Sequence, residues 1–165
     1  MKKTMLLTLG LFLLGTEVNA GSGVENTGSG VQTILSFGTM IGNYGPFIGS
    51  MNPIRGIPAG GAAWVVLGGA QGTLTSDGQL NIQVSGLVLV STQMNPSPNF
   101  RGLVSCLSIG DDGSVTTVNV STEDFPADTG GNSCIASTIA LPSPCFAPLI
   151  FVTSSSGSWF AATGL

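Results

Sequence analysis

Apolar and polar residues alternate most regularly where Leu80, Ile82 and Val84 are interleaved with Asn81, Gln83 and Ser85. A period of two places one set on each face of an extended chain, so this segment predicts a strand with one buried face. The preceding run AAWVVLGGAQGTLT (62–75) is rich in β-formers, and Ser76-Asp77-Gly78 separates the two. Asp-Gly tolerates positive φ, and the three pieces together predict a β-hairpin. Beyond the Pro-rich stretch MNPSPN, the run FRGLVSCLSI predicts another strand, followed by a turn at Gly110-Asp111-Asp112-Gly113. SVTTVNVST follows, with Val115, Val118 and Val120 nearly alternating, then a loop at EDFPADTGGN and the runs SCIASTIAL, PLIFVTS and SWFAATG. No stretch of about ten residues after the N-terminal segment carries helical periodicity. Short Thr-, Val- and Ile-rich runs divided by frequent turns predict an all-β fold. The expected architecture is a single domain over 36–165, a β-sandwich or small Greek-key barrel of about eight strands.

The N-terminus follows a different pattern. Lys2 and Lys3 precede an apolar run from Met5 to Leu14, and Val18-Asn19-Ala20 sets small or modest residues before a cleavage point. Residues 1–20 therefore read as an export signal, and the apolar run is too short to cross a bilayer, which takes about 20 residues. No Cys follows the cleavage point, so lipoprotein-type acylation is not expected there. Residues 21–35, opening with GSGVENTGSG, read as a flexible Gly/Ser-rich leader. From Val31 to Gly61, Gly and Pro interrupt the apolar residues, which predicts short extended pieces and turns packed on a body. No later apolar run is long enough to span a membrane, so the mature chain is expected to be secreted: periplasmic, cell-surface or extracellular.

Composition narrows the chemistry. Charged residues make up 7% of the 165, and there is no His. His-based catalytic triads and His metal sites are therefore excluded. Once the signal is removed, Arg55 and Arg101 are the only basic side chains, against Glu25, Asp77, Asp111, Asp112, Glu123, Asp124 and Asp128. Two arginines cannot supply the phosphate contacts of nucleic-acid binding or dock the chain on anionic lipid. Neither a cofactor nor a metal is expected, since the three cysteines form no spaced pair of the kind zinc needs.

Export favours a disulfide, and Cys106, Cys134 and Cys145 allow at most one within the chain. Cys106–Cys145 would close a loop of about 40 residues, contributing about 3–4 kcal/mol in the chain-entropy model. Cys134–Cys145 would close a shorter loop and is the second choice. The remaining thiol would be buried or bridge between molecules.

Four segments carry a resemblance: TMIGNYGPFIGSMNPIRGIPAGGAAWVV, LTSDGQLNIQVSGLVL, NFRGLVSCLSI and ALPSPCFAPLIFVTSSSGSWFAATG. They resemble a group of small, functionally uncharacterised secreted bacterial proteins, over roughly residues 36–164. The resemblance implies export and a shared fold but no activity. It also implies a 106–145 bridge, because these two cysteines recur in the group whereas position 134 usually differs.

The candidate ligand-binding residues are Arg55, Arg101 and Trp159. Each arginine follows an Asn-Pro, in Asn52-Pro53-Ile54-Arg55-Gly56 and in Asn95-Pro96 before Phe100-Arg101-Gly102. Two guanidinium forks beside aromatic rings suit an anionic or sugar ligand, while the structural alternative pairs each Arg with a carboxylate or with loop carbonyls. Trp64 is expected in the core. Trp159 and Phe160 are neighbours on a strand and must face opposite ways, so one of them should be less buried unless both faces of the sheet are covered. Glu123, Asp124 and Asp128, with Asp111-Asp112 nearby, are possible cation ligands or a hydrolytic carboxylate pair, set against the ordinary role of Asp in turns. With no Lys in the mature chain and no His to activate a nucleophile, no catalytic residue is assigned. The leading expectation is a non-catalytic envelope or extracellular module that binds or assembles, its partner a cell-envelope polymer or protein. A small-ligand or glycan binder is the alternative, and a carboxylate-based glycoside hydrolase the third choice.

Overall fold

The computed structural model describes residues 30–163, and the expected export signal and most of the expected leader lie outside them. Two antiparallel sheets carry ten strands. In chain order these are β1 (Thr33–Phe37), β2 (Ile41–Gly42), β3 (Trp64–Thr75), β4 (Gln79–Leu89), β5 (Asn99–Ile109), β6 (Val115–Ser121), β7 (Phe125–Pro126), β8 (Ser133–Thr138), β9 (Phe146–Thr153) and β10 (Trp159–Ala162). The runs read as strands in the sequence correspond to seven of these ten; the others are β1 and the dipeptides β2 and β7, the last two too short to leave a pattern in the sequence. β1 takes in Thr33, Ile34 and Leu35, which composition alone had placed in the leader. Among the described residues no helix is long and apolar enough to cross a membrane, and the only helical element is a 3-10 turn at Gly45–Phe47.

The first sheet has the order β1-β3-β4-β8, and the second β2-β10-β9-β5-β6 with β7 paired to the start of β5. The expected β3–β4 hairpin is present, with Leu80, Ile82 and Val84 buried and Asn81, Gln83 and Ser85 exposed. Leu74, Leu80, Ile82, Val84 and Ile135 of the first sheet pack against Phe100, Val104, Ile150, Val152 and Phe160 of the second. The fold is therefore a β-sandwich, with an inner core between the two sheets. Trp64 stacks on Phe160 with ring centroids 4.0 Å apart, and Phe100 meets both rings edge-on. A disulfide joins Cys106 on β5 to Cys145 just before β9, while Cys134 on β8 is free and exposed.

Trp159 and Phe160 are both buried, because the second sheet is covered on both faces. Residues 43–60 cross its outer face as a strap. Ile57 and Ala59 of the strap pack with Leu103, Phe151, Trp159 and Ala162 in a second apolar cluster. A register break between Trp159 and Ala161 places Phe160 and Ala161 together in the inner core, leaving Trp159 and Ala162 for the outer one.

Candidate functional site

Arg55 stands at the tip of a two-residue turn in the strap. Ile54 and Ile57 exchange backbone hydrogen bonds at 3.1 and 2.9 Å, and the two residues between them, Arg55 (φ 49°) and Gly56 (φ 78°), both have positive φ. That combination is the two-residue turn whose twist suits a hairpin, and glycine is at ease in it. The turn aims the guanidinium at the second sheet. Nη1 donates to Ser105 O and Nη2 to Ala147 O, each at 2.8 Å, while Asn119 Nδ2 donates back to Arg55 O at 3.1 Å. Arg55 thus fastens the strap to β5, β6 and β9 through backbone carbonyls, the structural of its two expected roles.

Arg101 and Trp159 both pair with Thr153, one across β5–β9 and the other across β9–β10, so the three lie in one row on the outer face. They do not form an open site. Trp159 has no exposed surface, tilted between Phe47 and Phe151 at centroid distances of 6.4 and 6.0 Å. A ring enclosed in this way cannot stack on a ligand, so Trp159 is corrected from candidate contact residue to core residue. Its Nε1 and the Oγ of Ser105 are buried without a hydrogen-bond partner among the described residues. Arg101 Nε donates to Asp124 at 2.5 Å at the rim. That bond, with a second from Ser155, holds the Asp124 carboxyl below its ordinary pKa, and the same contact raises Arg101.

The remaining acids are turn formers. Thr75 bonds Asp77, and Ser114 bonds Asp112 through its hydroxyl and its N–H. Asn132 bonds Asp128 through its side chain and its N–H, closing the loop before β8. Each of these contacts favours the ionised carboxylate and lowers its pKa. Glu123 accepts from Ser137 Oγ at 2.9 Å. Among the described residues no three Cys, Asp or Glu side chains converge in a way that could hold a cation.

A concavity of about 990 Å³ lies on the outward face of the first sheet. Gln71, Gln83, Ser85 and Cys134 line it from the strands, and Asp128 and Asn132 from the loop before β8. Gln71 Nε2 donates to Gln83 Oε1 at 3.1 Å, and Asn132 Oδ1 accepts from Ser85 Oγ and Gly86 N. The strands give this floor only uncharged side chains, with Asp128 its one carboxylate, so neither clustered charge nor aromatic rings mark it in the sequence. The signal was present in the polar half of the Asn81, Gln83, Ser85 alternation.

Asn43 and Asn95, both buried, were likewise missed. Asn43 bonds Gly60 O and the Trp64 N–H, tying the strap to β3, and Asn95 bonds Ser97 and Asp128 to shape the loop before β5. No family model, curated protein or solved structure matches this chain.

Proposed function

We propose that the protein is a non-catalytic module of the envelope or extracellular space, which works by presenting surfaces to a polymer or to another protein. The observation that carries this reading is the commitment of its reactive groups. Arg55 is taken up by the strap, Arg101 and Asp124 by their ion pair at the rim, and Asp77, Asp112 and Asp128 by hydrogen bonds around their own turns. What is left is a wide polar groove with one hydrogen-bonded carboxylate, Asp128, in its lining, and an open strand edge, features suited to binding rather than to acid–base chemistry. The disulfide and the export-like N-terminus support an oxidising compartment, and the resemblance to small secreted bacterial proteins supports the same location.

A second reading has an observation of its own. The Gln71–Gln83 pair beside Ser85 offers amide and hydroxyl groups of the kind that bond sugar hydroxyls, so a glycan in the groove of the first sheet is the alternative. Fractionation of the source cells with native sizing tests the main reading. Recovery on the envelope or in a large complex is expected. A free monomer that neither envelope material nor any protein retains would overturn it. Loss of glycan retention on Gln83→Ala, with the fold unchanged, would select the second reading.

A further inference from the structure

The two sheets end in four edges, three of them blunted in ways that discourage pairing. β1 has a register break between Thr33 and Leu35, and β2 is two residues long. β8 has the 122–127 segment beside it, with Ser133 Oγ donating to Pro126 O and Ser137 Oγ to Glu123. Among the described residues, β6 has none of these protections. Its sequence VTTVNVS has no charge and no proline, and its register against β5 is unbroken.

The hydrogen-bond phase of β6 is fixed at both ends. Gly110 N donates to Ser114 O at 2.8 Å and Thr122 N to Gly102 O at 2.8 Å, so the even-numbered residues bond β5. The N–H and C=O groups of Val115, Thr117, Asn119 and Ser121 therefore point along the open edge. Exposed apolar surface adjoins them, with Val115 67% and Ile109 46% accessible and paired across the hairpin.

Charge decides what can occupy this edge. A second copy in full antiparallel overlap would place Val115 opposite Ser121 and Thr117 opposite Asn119. That arrangement sets the Asp111-Asp112 turn of one copy beside the Glu123-Asp124 end of the other, where Arg101 offsets Asp124 and Glu123, bonded to Ser137, leaves one net negative charge, so like sign meets like sign at both ends. Like charges so placed oppose self-pairing and favour the opposite sign. We propose that the β6 edge docks an extended segment of another protein, β-branched in its middle and carrying Lys or Arg at both ends. The proposal rests on the binding-module reading above and names its partner class and its site.

The test uses the purified protein and two labelled peptides with the same Thr-Val-Thr-Val-Thr middle, one flanked by two Lys at each end and the other by two Glu. At low salt the Lys-flanked peptide is expected to bind at least about tenfold tighter by anisotropy. Thr117→Pro removes an N–H from the open edge while sparing the β5 ladder, so it should abolish binding with the melting temperature nearly unchanged. Asp111→Lys combined with Glu123→Lys should move the preference toward the Glu-flanked peptide, and this variant decides the matter if Thr117→Pro does not fold. Equal binding of both peptides, binding of neither, or binding indifferent to Thr117→Pro would overturn the proposal. So would a dimer that Thr117→Pro dissolves, which would assign the edge to a second copy. Envelope retention shared equally by wild type and Thr117→Pro would reject the edge while leaving the binding-module reading intact. Absence of any retention of the wild type would reject that reading itself.

Discussion

Gly102 lies on the inner face of β5, where a Cβ would stand 2.8 Å from Leu80 Cδ2, 3.2 Å from Ile82 Cδ1 and 3.3 Å from Ile135 Cγ2. Three side chains of the facing sheet close on a position with room only for hydrogen. Gly102→Ala is expected to cost about 1–3 kcal/mol by overpacking, seen as a lower urea midpoint at unchanged slope. Ser105→Ala is its contrast on the opposite face of the same strand. The hydroxyl is buried and unpartnered, so its removal should leave stability unchanged or raise it by up to about 1 kcal/mol. The run FRGLVSCLSI marks this strand in the sequence, and a glycine within it hints at a close approach. The identity of what approaches depends on β4 and β8, and no local pattern carries that. The same limit explains Trp159, whose neighbours Phe47 and Ile57 come from a segment about a hundred residues earlier in the chain.

At the scale of elements, the strap is the feature least visible in the sequence. The β3–β4 hairpin can be read directly because β4 repeats a two-residue period, β3 is rich in β-formers and Asp-Gly marks the turn between them. Residues 43–60 have no period, being spaced by Gly and Pro, and they gain order only by packing on the second sheet. Their attachment runs through few groups: Gly60 N to Trp159 O, Trp159 N to Pro58 O, Asn43 N to Phe160 O, Trp64 N to Asn43, Asn119 Nδ2 to Arg55 O, and the two bonds of Arg55. Arg55→Ala should cost about 1–3 kcal/mol through the two lost charge-assisted bonds, with faster amide exchange confined to the strap and β10. Arg55→Gly should be milder by roughly 1 kcal/mol, because it loses the same bonds and relieves the positive φ. Equal effects of the two variants, or exchange spread over both sheets, would contradict this account. The sequence singled out Arg55 for the right reason, an uncommon charge in a rigid turn, and only the fold shows that its partners are backbone carbonyls of this same chain.

Across the whole molecule, Asp77, Asp112, Asp124 and Asp128 all have folded pKa values below the ordinary carboxylate range, through bonds from Thr75, Ser114, Arg101 and Asn132 respectively. A group with a depressed folded pKa contributes stability above its unfolded pKa and loses it as pH falls toward the folded value. All four act in the same direction, and the chain has no His to oppose them. The melting temperature should therefore fall as pH drops below about 4, the ordinary Asp value, which a series of thermal melts would check. The sandwich class and the low charge were legible from alternation and composition. The order of strands within each sheet was not, because an edge such as β6 is defined by the neighbour it lacks.

The dry layer on each side of the second sheet has an optical consequence. Trp64 lies in the inner core, stacked on Phe160, and Trp159 lies in the outer one between Phe47 and Phe151. The protein thus carries one indole in each compartment, with only the backbone of β10 dividing Phe160 from Trp159. With Trp64→Phe or Trp159→Phe leaving one indole at a time, the emission of Trp159 is expected to redden when water reaches the space beneath the strap, and that of Trp64 when the sheets part.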